Sequence, residues 1–477
     1  MFRRSGSREG NSRFEMDMCS GSVLKKLLIF AVPLIFSSVL QLLFNAADVV
    51  IVGNAAGDTA LAAVGSTTPL INLLTNIFIG ISVGTNVLVA RNFAAGSRPD
   101  VHQTVHTSIL LSLFSGIFLT IVGVFLAPQI LKLMKVPDSV IGPSSLYLRI
   151  YFIGITATLL YNFGSAILRA VGDTKRPLIF LVISGIVNVS LNVLFVTLAK
   201  IRSGNEEVIS DATVNQCVGG VAIATAVSQC VSALLVIMCL VREKGFIRLE
   251  LRKLRIYKDK LWQILRIGLP AGFQGALFSL SNVVIQSAIN SFGKVTMAGS
   301  VAANNIEGFV YVTMNAFHQA AISFTGQNIG AKKYERINRI AYTSVLCVIV
   351  VGVVAGVGMS FILGRPLLGL YTDQPAVVEQ GLIRLKCICA FYFLCGIMDV
   401  LVGVLRGLGY SIMPMIVSLV GVCGFRILWI KTVFRIPECH TIETVYLSYL
   451  VTWTLTALIH FICFLIVRRR KKAIWGV

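Results

Sequence analysis

A short motif recurs 237 residues further along this chain, in strongly apolar sequence both times. It reads Leu-Arg-x-x-Gly at residues 168–172 and again at 405–409. Other residues keep the same offset: Pro33 and Pro270, Asn45 and Asn282, Pro177 and Pro414. Self-similarity at a fixed distance indicates two structurally similar halves. The fold must therefore be one that can be built twice from apolar segments.

The composition places both halves in a membrane. Hydrophobic residues make up 56% of the 477 residues, charged residues only 13%, and the mean hydropathy is +0.82. A soluble protein carries about 25% charged residues. The first apolar run, from Leu27 to Val52, is too long for a signal peptide, and no small-residue cleavage site follows it. We therefore predict an all-α integral membrane protein, because helices satisfy their own backbone in lipid.

Twelve apolar segments are predicted to cross the membrane. They lie near residues 25–53, 61–92, 102–127, 144–168, 178–199, 217–241, 261–290, 297–328, 338–364, 380–405, 412–434 and 442–467. Six crossings return the chain to its starting side, so the two six-helix repeats are parallel. The predicted organisation is a tail (1–24), an N-terminal lobe (25–241), a charged linker (242–260), a C-terminal lobe (261–467) and a second tail (468–477).

The net charge of +21 reflects topology rather than a nucleic-acid partner. Most of the 42 Lys and Arg residues fall in the two tails, in the linker and in alternate loops. The positive-inside rule then predicts a multi-pass protein of the inner (plasma) membrane with both termini cytoplasmic. The loop from Lys200 to Gln216 is predicted to be external. Contact with anionic lipid is the alternative explanation for the basic runs.

Polar residues inside the N-terminal spans suggest a cation site. Asp48 lies close to the outer end of the first span, and ionisable groups at such positions are costly and functional by default. Asn188 and Asn192 share one face of the fifth span, and Thr225 lies at a similar depth in the sixth. A carboxylate with amide and hydroxyl oxygens suits a proton or a sodium ion. The alternative is that the two amides only join helices.

The C-terminal spans carry further candidates for contacts with a cavity or a substrate. The complete set of such candidates is Gln41, Asn45, Asn282, Gln286, Glu307, Asp399 and Arg426. Glu307 and Arg426 are expected to neutralise each other, since charges buried in a membrane protein usually pair. His102 and His106 have no third ligand and are expected on a solvated face.

Several enzyme classes lack their motif in this sequence. The chain has no Walker loop, no Gly-x-Ser-x-Gly elbow and no His or Cys cluster with metal spacing. The 11 cysteines are scattered through apolar spans. We therefore expect a transporter rather than an enzyme, with no cofactor. A channel would need a filter loop, which is also missing.

Across residues 24–467 the chain resembles the multidrug and toxic compound extrusion (MATE) transporters. The matching signatures are Asn-Ala-Ala-Asp at 45–48, Leu-Ala-Ala-Val at 61–64, and the two Leu-Arg-x-x-Gly motifs. The resemblance implies a V-shaped pair of lobes that exports small cationic amphiphiles in exchange for protons or sodium ions. We expect a protein that functions as a monomer in the lipid bilayer.

The resemblance also assigns a cation site to Asp48, Asn188, Asn192 and Thr225. Asn192 departs from the family pattern, because many members have Asp there. Some members use acids in the seventh and tenth spans instead. The seventh span here has none, and Asp399 lies one turn from the usual place.

A flippase for lipid-linked oligosaccharides is the alternative function within the same superfamily. It would need a basic cavity for a pyrophosphate. Arg149, Arg384, Lys386 and Arg426 leave this open, whereas twelve spans are fewer than many flippases have.

Overall fold

The computed structural model describes residues 14–134, 136, 138–202 and 211–475, and these residues form helices and no β-strand. The helices are α1 (Val23–Ala94), α2 (Arg98–Leu133), α3 (Asp138–Ala170), α4 (Lys175–Arg202), α5 (Asp211–Arg242), α6 (Lys258–Asn290), α7 (Lys294–Gly330), α8 (Glu335–Val357), α9 (Gly364–Gly369), α10 (Pro375–Cys387), α11 (Tyr392–Gly407), α12 (Ile412–Ser418), α13 (Phe425–Lys431) and α14 (Ile442–Trp475).

Eleven segments of the described chain are long and apolar enough to cross a membrane. Two of them, Val23–Gly53 and Ala62–Ala94, lie within α1. The remaining predicted span, at 297–328, corresponds to α7, which has 37 residues and reaches across a bilayer but is less apolar. More than half of its residues are buried, so protein rather than lipid surrounds much of it. The predicted all-α membrane fold is confirmed.

The long helix α1 doubles back on itself between its two spans. Its 72 residues would extend about 108 Å if straight, several times the hydrocarbon thickness of a bilayer. Near its start, Phe30 makes an edge contact with Phe324 of α7. Near its end, the carbonyl oxygen of Arg91 lies 1.9 Å from where a Cβ on Gly330 of α7 would be. Both ends of α1 thus reach the same end of α7.

Helices α1–α5 form the N-terminal lobe, and α6–α14 form the C-terminal lobe. In the first lobe α3 packs against α1, α2 and α5, and α4 packs against α5. In the second lobe α11 packs against α7, α8 and α14. The lobes touch each other through α1, which packs along α6 and α7.

The recurring Leu-Arg-x-x-Gly motif ends a helix in the same way in each lobe. In the first lobe the N–H of Asp173 donates to the carbonyl oxygen of Leu168 at 3.0 Å, and Gly172 has φ +94°. In the second lobe Tyr410 donates to Leu405 at 2.9 Å, and Gly409 has φ +91°. This is a Schellman cap, in which glycine accepts the left-handed conformation without a steric penalty.

The lobes meet at the end of the molecule where α1 begins and α14 ends. There the hydroxyl of Ser323 donates to Asn86 Oδ1 at 3.1 Å, and these two residues are 237 positions apart. The helix end at residues 93–95 recurs at residues 329–331, an offset of 236, so Ser323 is one residue past the counterpart of Asn86. Residues this close to equivalent positions that touch each other lie beside the pseudo-two-fold axis. Close by, a Cβ on Gly80 would lie 2.2 Å from the Cα of Gly272. The backbones of α1 and α6 therefore touch at this point, as small residues allow in membranes.

At the opposite end the lobes separate and leave a polar cleft. Exposed polar side chains within the spans there include Gln41, Asn45, Thr68, Asn72, Asn282, Asn304 and Asn305. Amides in the hydrocarbon region are tolerated only where they line water or protein. Contact at one end and a cleft at the other make the predicted V shape.

Three of the predicted spans are not single regular helices. The ninth ends in a π-helical turn at Gly358–Ile362, directly after α8. The tenth is broken by a 3₁₀ turn at Cys389–Phe391 between α10 and α11. The eleventh has a π-helical turn at Leu419–Gly424 between α12 and α13. Such π turns insert an extra residue per turn and often mark functional sites.

The linker between the lobes is folded onto the N-terminal lobe. The N–H of Glu250 donates to His106 Nε2 at 3.1 Å, and Lys260 Nζ donates to Asp100 Oδ1 at 2.5 Å. His106 is therefore buried, and the expectation that it lies on a solvated face is wrong. Its ring serves as a hydrogen-bond partner for the linker backbone.

Residues ahead of α1 cross the closed end of the molecule. The N–H of Met16 donates to the carbonyl oxygen of Val171 in the N-terminal lobe at 3.1 Å. Asn328 of the C-terminal lobe donates to the carbonyl oxygen of Met18 at 3.1 Å. This segment therefore ties the two lobes together.

Candidate functional site

Asp48 lies inside the N-terminal lobe with only 7% of its surface exposed. Its Oδ1 accepts a hydrogen bond from Asn192 Nδ2 at 2.5 Å, and its Oδ2 accepts one from the hydroxyl of Thr225 at 3.3 Å. The carboxylate is thus held between the fifth and sixth spans. Among the described residues, no Lys or Arg lies within ion-pair distance of it.

The two asparagines of α4 join the same network. They are four residues apart, so one helical turn brings both side chains to the same face. Asn192 Nδ2 also donates to Asn188 Oδ1 at 3.2 Å, and Asn188 Nδ2 donates to the Thr225 hydroxyl at 3.5 Å. The structure therefore brings together all four residues of the predicted cation site.

One oxygen of this network has no partner. Asn192 Oδ1 is buried and accepts no hydrogen bond from any described residue. A buried acceptor without a donor costs free energy, which a cation bound beside it would recover. The Asp48 carboxylate and this amide oxygen are both ligands that a hard monovalent cation prefers. The arrangement can hold a proton on Asp48 or a sodium ion between the two groups.

The sequence argument overlooked Tyr147 of α3, which lies within electrostatic range of the Asp48 carboxylate. Tyr147 is buried, and its ring stacks with that of Tyr151 at 6.3 Å. A single tyrosine in an apolar span gives little signal in sequence. The equivalent residue of the second repeat, 237 positions later, is Arg384. An arginine inside an apolar span is a stronger signal in sequence than a tyrosine, and it points to this position in both repeats.

Glu307 pairs with Arg384 and not with Arg426, so the expected Glu307–Arg426 pair is wrong. The guanidinium of Arg384 donates from Nε to Oε1 at 2.9 Å and from Nη2 to Oε2 at 3.0 Å. Its Nη1 donates to the hydroxyl of Ser300 at 2.7 Å. This two-bond geometry matches the fork of arginine to a carboxylate. Arg384 from α10 therefore fills the place that sequence reasoning gave to Arg426.

Arg426 instead lies over the ring of Tyr449, 4.0 Å from its centroid. Its Nη1 donates to Asn282 Oδ1 at 3.4 Å, and its Nη2 donates to the hydroxyl of Thr452 at 3.3 Å. Only 3% of the residue is exposed. Within the described part of the chain, no carboxylate forms an ion pair with it.

The remaining candidates are placed separately. Gln41 and Asn45 are exposed at the cleft and precede Asp48 on α1 by seven and three residues. Gln286 donates to Asn290 at 2.9 Å on α6. Asp399 is half-buried within electrostatic reach of Arg406, and its backbone carbonyl contacts His318 Nδ1 at 2.6 Å. Among the described residues, no hydrogen bond or ion pair joins the Asp399 side chain to Asp48 or to Arg426.

Comparison with known proteins covers most of the chain, including part of each lobe. The MatE family model matches residues 33–194 and 270–430, one stretch in each lobe. The chain belongs to the MatE family. A "probable multidrug resistance protein YpnP" of Bacillus subtilis is 28% identical over 404 residues, covering 85% of this chain and 87% of that protein. A "probable multidrug resistance protein NorM" of Thermotoga maritima is 26% identical, covering 85% and 84%.

A solved structure described as MATE in the bent conformation shares the fold of this MatE chain. Its TM-score is 0.84 at 21% identity, covering 96% of this chain and 98% of that one. The match extends over both lobes. It supports the two-lobed, V-shaped architecture described above.

Proposed function

We propose that this chain is a secondary active antiporter. It exports amphiphilic organic cations and takes up protons or sodium ions, which bind at Asp48. The proposal is supported by membership of the MatE family, by relatives named as multidrug resistance proteins, and by the geometry around Asp48. No cofactor takes part, and the monomer is the working unit.

The observation that carries the proposal is a buried carboxylate bonded only to neutral groups. Leaving a bare charge in such a site costs several kcal/mol, so Asp48 must hold a proton or a metal cation. Arrival and departure of that cation change the charge of the site by one unit. This change biases the lobes between two packings, which is what coupled exchange requires.

The proposed orientation puts both termini and the closed end in the cytoplasm of a cell whose plasma membrane holds the protein. The cleft then opens to the outside. Labelling of single cysteines placed at residues 242–260 and 200–216 tests this. Reaction of 242–260 with an external reagent would overturn the orientation.

Asp48→Asn tests the coupling mechanism. The substitution preserves the shape of the side chain and removes its charge, so export of a fluorescent cationic dye from proteoliposomes under an imposed proton or sodium gradient should be abolished. Asp259→Asn, at an exposed position on α6, is the matched control and should transport normally. Full gradient-driven export by folded Asp48→Asn would refute the mechanism.

Asn192→Ala distinguishes the two candidate ions. It removes the unpartnered oxygen beside Asp48, so a sodium-driven protein should show a weaker apparent affinity for sodium. A proton-driven protein should instead show a shifted pH dependence at unchanged sodium. Asn192 adds no second charge to the site, so we expect the proton result. Export that requires sodium, with an apparent sodium affinity that falls in Asn192→Ala, would contradict this expectation.

A further inference from the structure

The C-terminal lobe contains a positive charge that the proposed cation cycle does not use. Arg426 is almost completely buried, and no carboxylate of the described residues pairs with it. A buried guanidinium normally has an acidic partner, because desolvation of a lone charge is costly. The nearby ion pair of Glu307 and Arg384 is already neutral. Arg406 is also buried in this lobe, and Asp399 lies within electrostatic reach of it. With these charges balanced, Arg426 leaves an excess positive charge of one unit.

The hydrogen bonds of Arg426 are weak or absent. Its bonds to Asn282 and Thr452, at 3.4 and 3.3 Å, are longer than the usual N–H···O distance of about 2.9–3.0 Å. Its Nε is buried and donates to no described residue. The Nε–H and one Nη2–H point the same way and form a fork that fits the two oxygens of a carboxylate. The guanidinium is therefore available to an anion.

Asn282 connects this guanidinium to the cleft. Asn282 is exposed on α6, and its amide oxygen is the acceptor for Arg426 Nη1. The side chain of Asn282 thus lies between Arg426 and the surface of the cleft. The π-helical turn at Leu419–Gly424 immediately precedes this part of α13, a distortion that is frequent at ligand sites.

A row of aromatic rings leads from the cleft side to the same guanidinium. Tyr311 is 41% exposed, and its ring centroid lies 6.4 Å from that of Tyr392. Tyr392 contacts Trp453 at 5.0 Å, and Trp453 contacts Tyr449 at 5.4 Å. Tyr449 lies under Arg426. Ring faces and edges of this kind favour planar aromatic molecules.

We propose that Arg426 and this aromatic row form a binding site for small aromatic molecules that carry a carboxylate. The carboxylate takes the free Nε and the adjacent Nη2, and the ring lies against Tyr449 and its neighbours. An aromatic zwitterion then interacts with both lobes: its cationic group lies towards Asp48, and its carboxylate binds Arg426. The inference rests on the proposed function for the transport of the ligand, but not for its binding.

The test measures equilibrium binding of three related probes to the full chain in nanodiscs of neutral phosphatidylcholine. The probes are 2-naphthoate, the neutral 2-naphthylmethanol and the cationic 2-naphthylmethylammonium. Titration calorimetry measures the affinity of each. The wild type should bind naphthoate at least about tenfold more tightly than the alcohol, since a hydrogen bond to a charged group contributes that much. Arg426→Gln should remove this preference, and Arg426→Lys should retain part of it.

Asn282→Asp provides a test that keeps Arg426. The new carboxylate lies beside Nη1 and neutralises the guanidinium, so folding is preserved while naphthoate binding falls about tenfold or more. The matched control is Asn45→Asp, at the equivalent exposed position of the other lobe, which should change naphthoate affinity by less than about twofold because solvent and salt screen it.

Unchanged naphthoate binding in Asn282→Asp, or equal loss in Asn45→Asp, would overturn the proposal. So would a wild type that binds naphthoate and the alcohol equally. The outcome is separable from the proposed function, because Asp48→Asn should abolish gradient-driven export and still bind naphthoate. A wild type that binds naphthoate but exports no cation under either gradient would refute the antiporter and leave the anion site standing.

Discussion

The two lobes share a backbone plan and differ in the sign of their interior charge. In the N-terminal lobe the central charged group is Asp48, held by amides and a hydroxyl. In the C-terminal lobe it is Arg426, which is also held by an amide and a hydroxyl. At the 237-residue offset Asp48 corresponds to Ile285, and Arg426 corresponds to Val189. Each charge is therefore particular to its own lobe.

The features that the lobes share are those that the backbone requires. The Schellman caps after α3 and α11 need a residue with positive φ at the same place in each repeat. Contacts at the pseudo-two-fold axis need small or polar residues from both repeats. The interior of each lobe has no such constraint. A duplicated fold can therefore keep its frame while its two sites acquire opposite charges.

The largest expected difference between the lobes concerns the loss of an acid. Glu307→Gln leaves the buried guanidinium of Arg384 without its partner, and should lower the free energy of unfolding by about 3–5 kcal/mol. Asp48→Asn removes a charge that has no ionic partner, so stability should be unchanged or higher. Thermal unfolding in detergent measures both. Equal destabilisation by the two substitutions would break the comparison.

A double variant is the control for that prediction. Glu307→Gln combined with Arg384→Met removes both charges and should recover most of the lost stability, because no unpaired guanidinium remains. Persistent instability of the double variant would mean that packing, rather than the ion pair, explains the effect.

The next difference concerns the arginines of the recurring motif. Arg406 Nη2 donates to Gln274 Oε1 at 2.8 Å inside the C-terminal lobe. Arg406→Ala leaves that buried oxygen without a donor, and should lower the free energy of unfolding by about 1–3 kcal/mol. Arg169→Ala should cost less, because no described residue accepts a hydrogen bond from the Arg169 side chain and so none loses its donor. Folded yield and thermal unfolding test this, and normal stability with lost transport in Arg406→Ala would contradict it.

The smallest effect involves equivalent turns after the second and eighth spans. Gly96 has φ +75° in one, and Lys332 has φ +56° in the other. A residue with a Cβ pays about 1 kcal/mol for this conformation, so Lys332→Gly should stabilise the protein by roughly that amount. The reciprocal Gly96→Lys should destabilise it similarly. Opposite shifts in the unfolding temperature confirm the shared turn, and shifts of the same sign would refute it.

The amino-acid sequence by itself determined the membrane class, the number of crossings, the repeat and the depth of Asp48. Long apolar runs leave a chain little choice but helices across a bilayer, and depth follows from the rise per residue. The three residues around Asp48 were predictable because their depths in the membrane agreed with the depth of Asp48. These properties depend on position along each helix, which sequence records directly.

Only the tertiary structure decided which side chains meet across helices. Glu307 bonds to Arg384 rather than Arg426, and Thr225 bonds to Asp48, because the rotation and crossing of each helix select the partner. The 3₁₀ break at Cys389–Phe391 and the π turn at Leu419–Gly424 alter those rotations locally. Residues at equal depth can lie on opposite faces of their helices, so depth alone does not identify a contact.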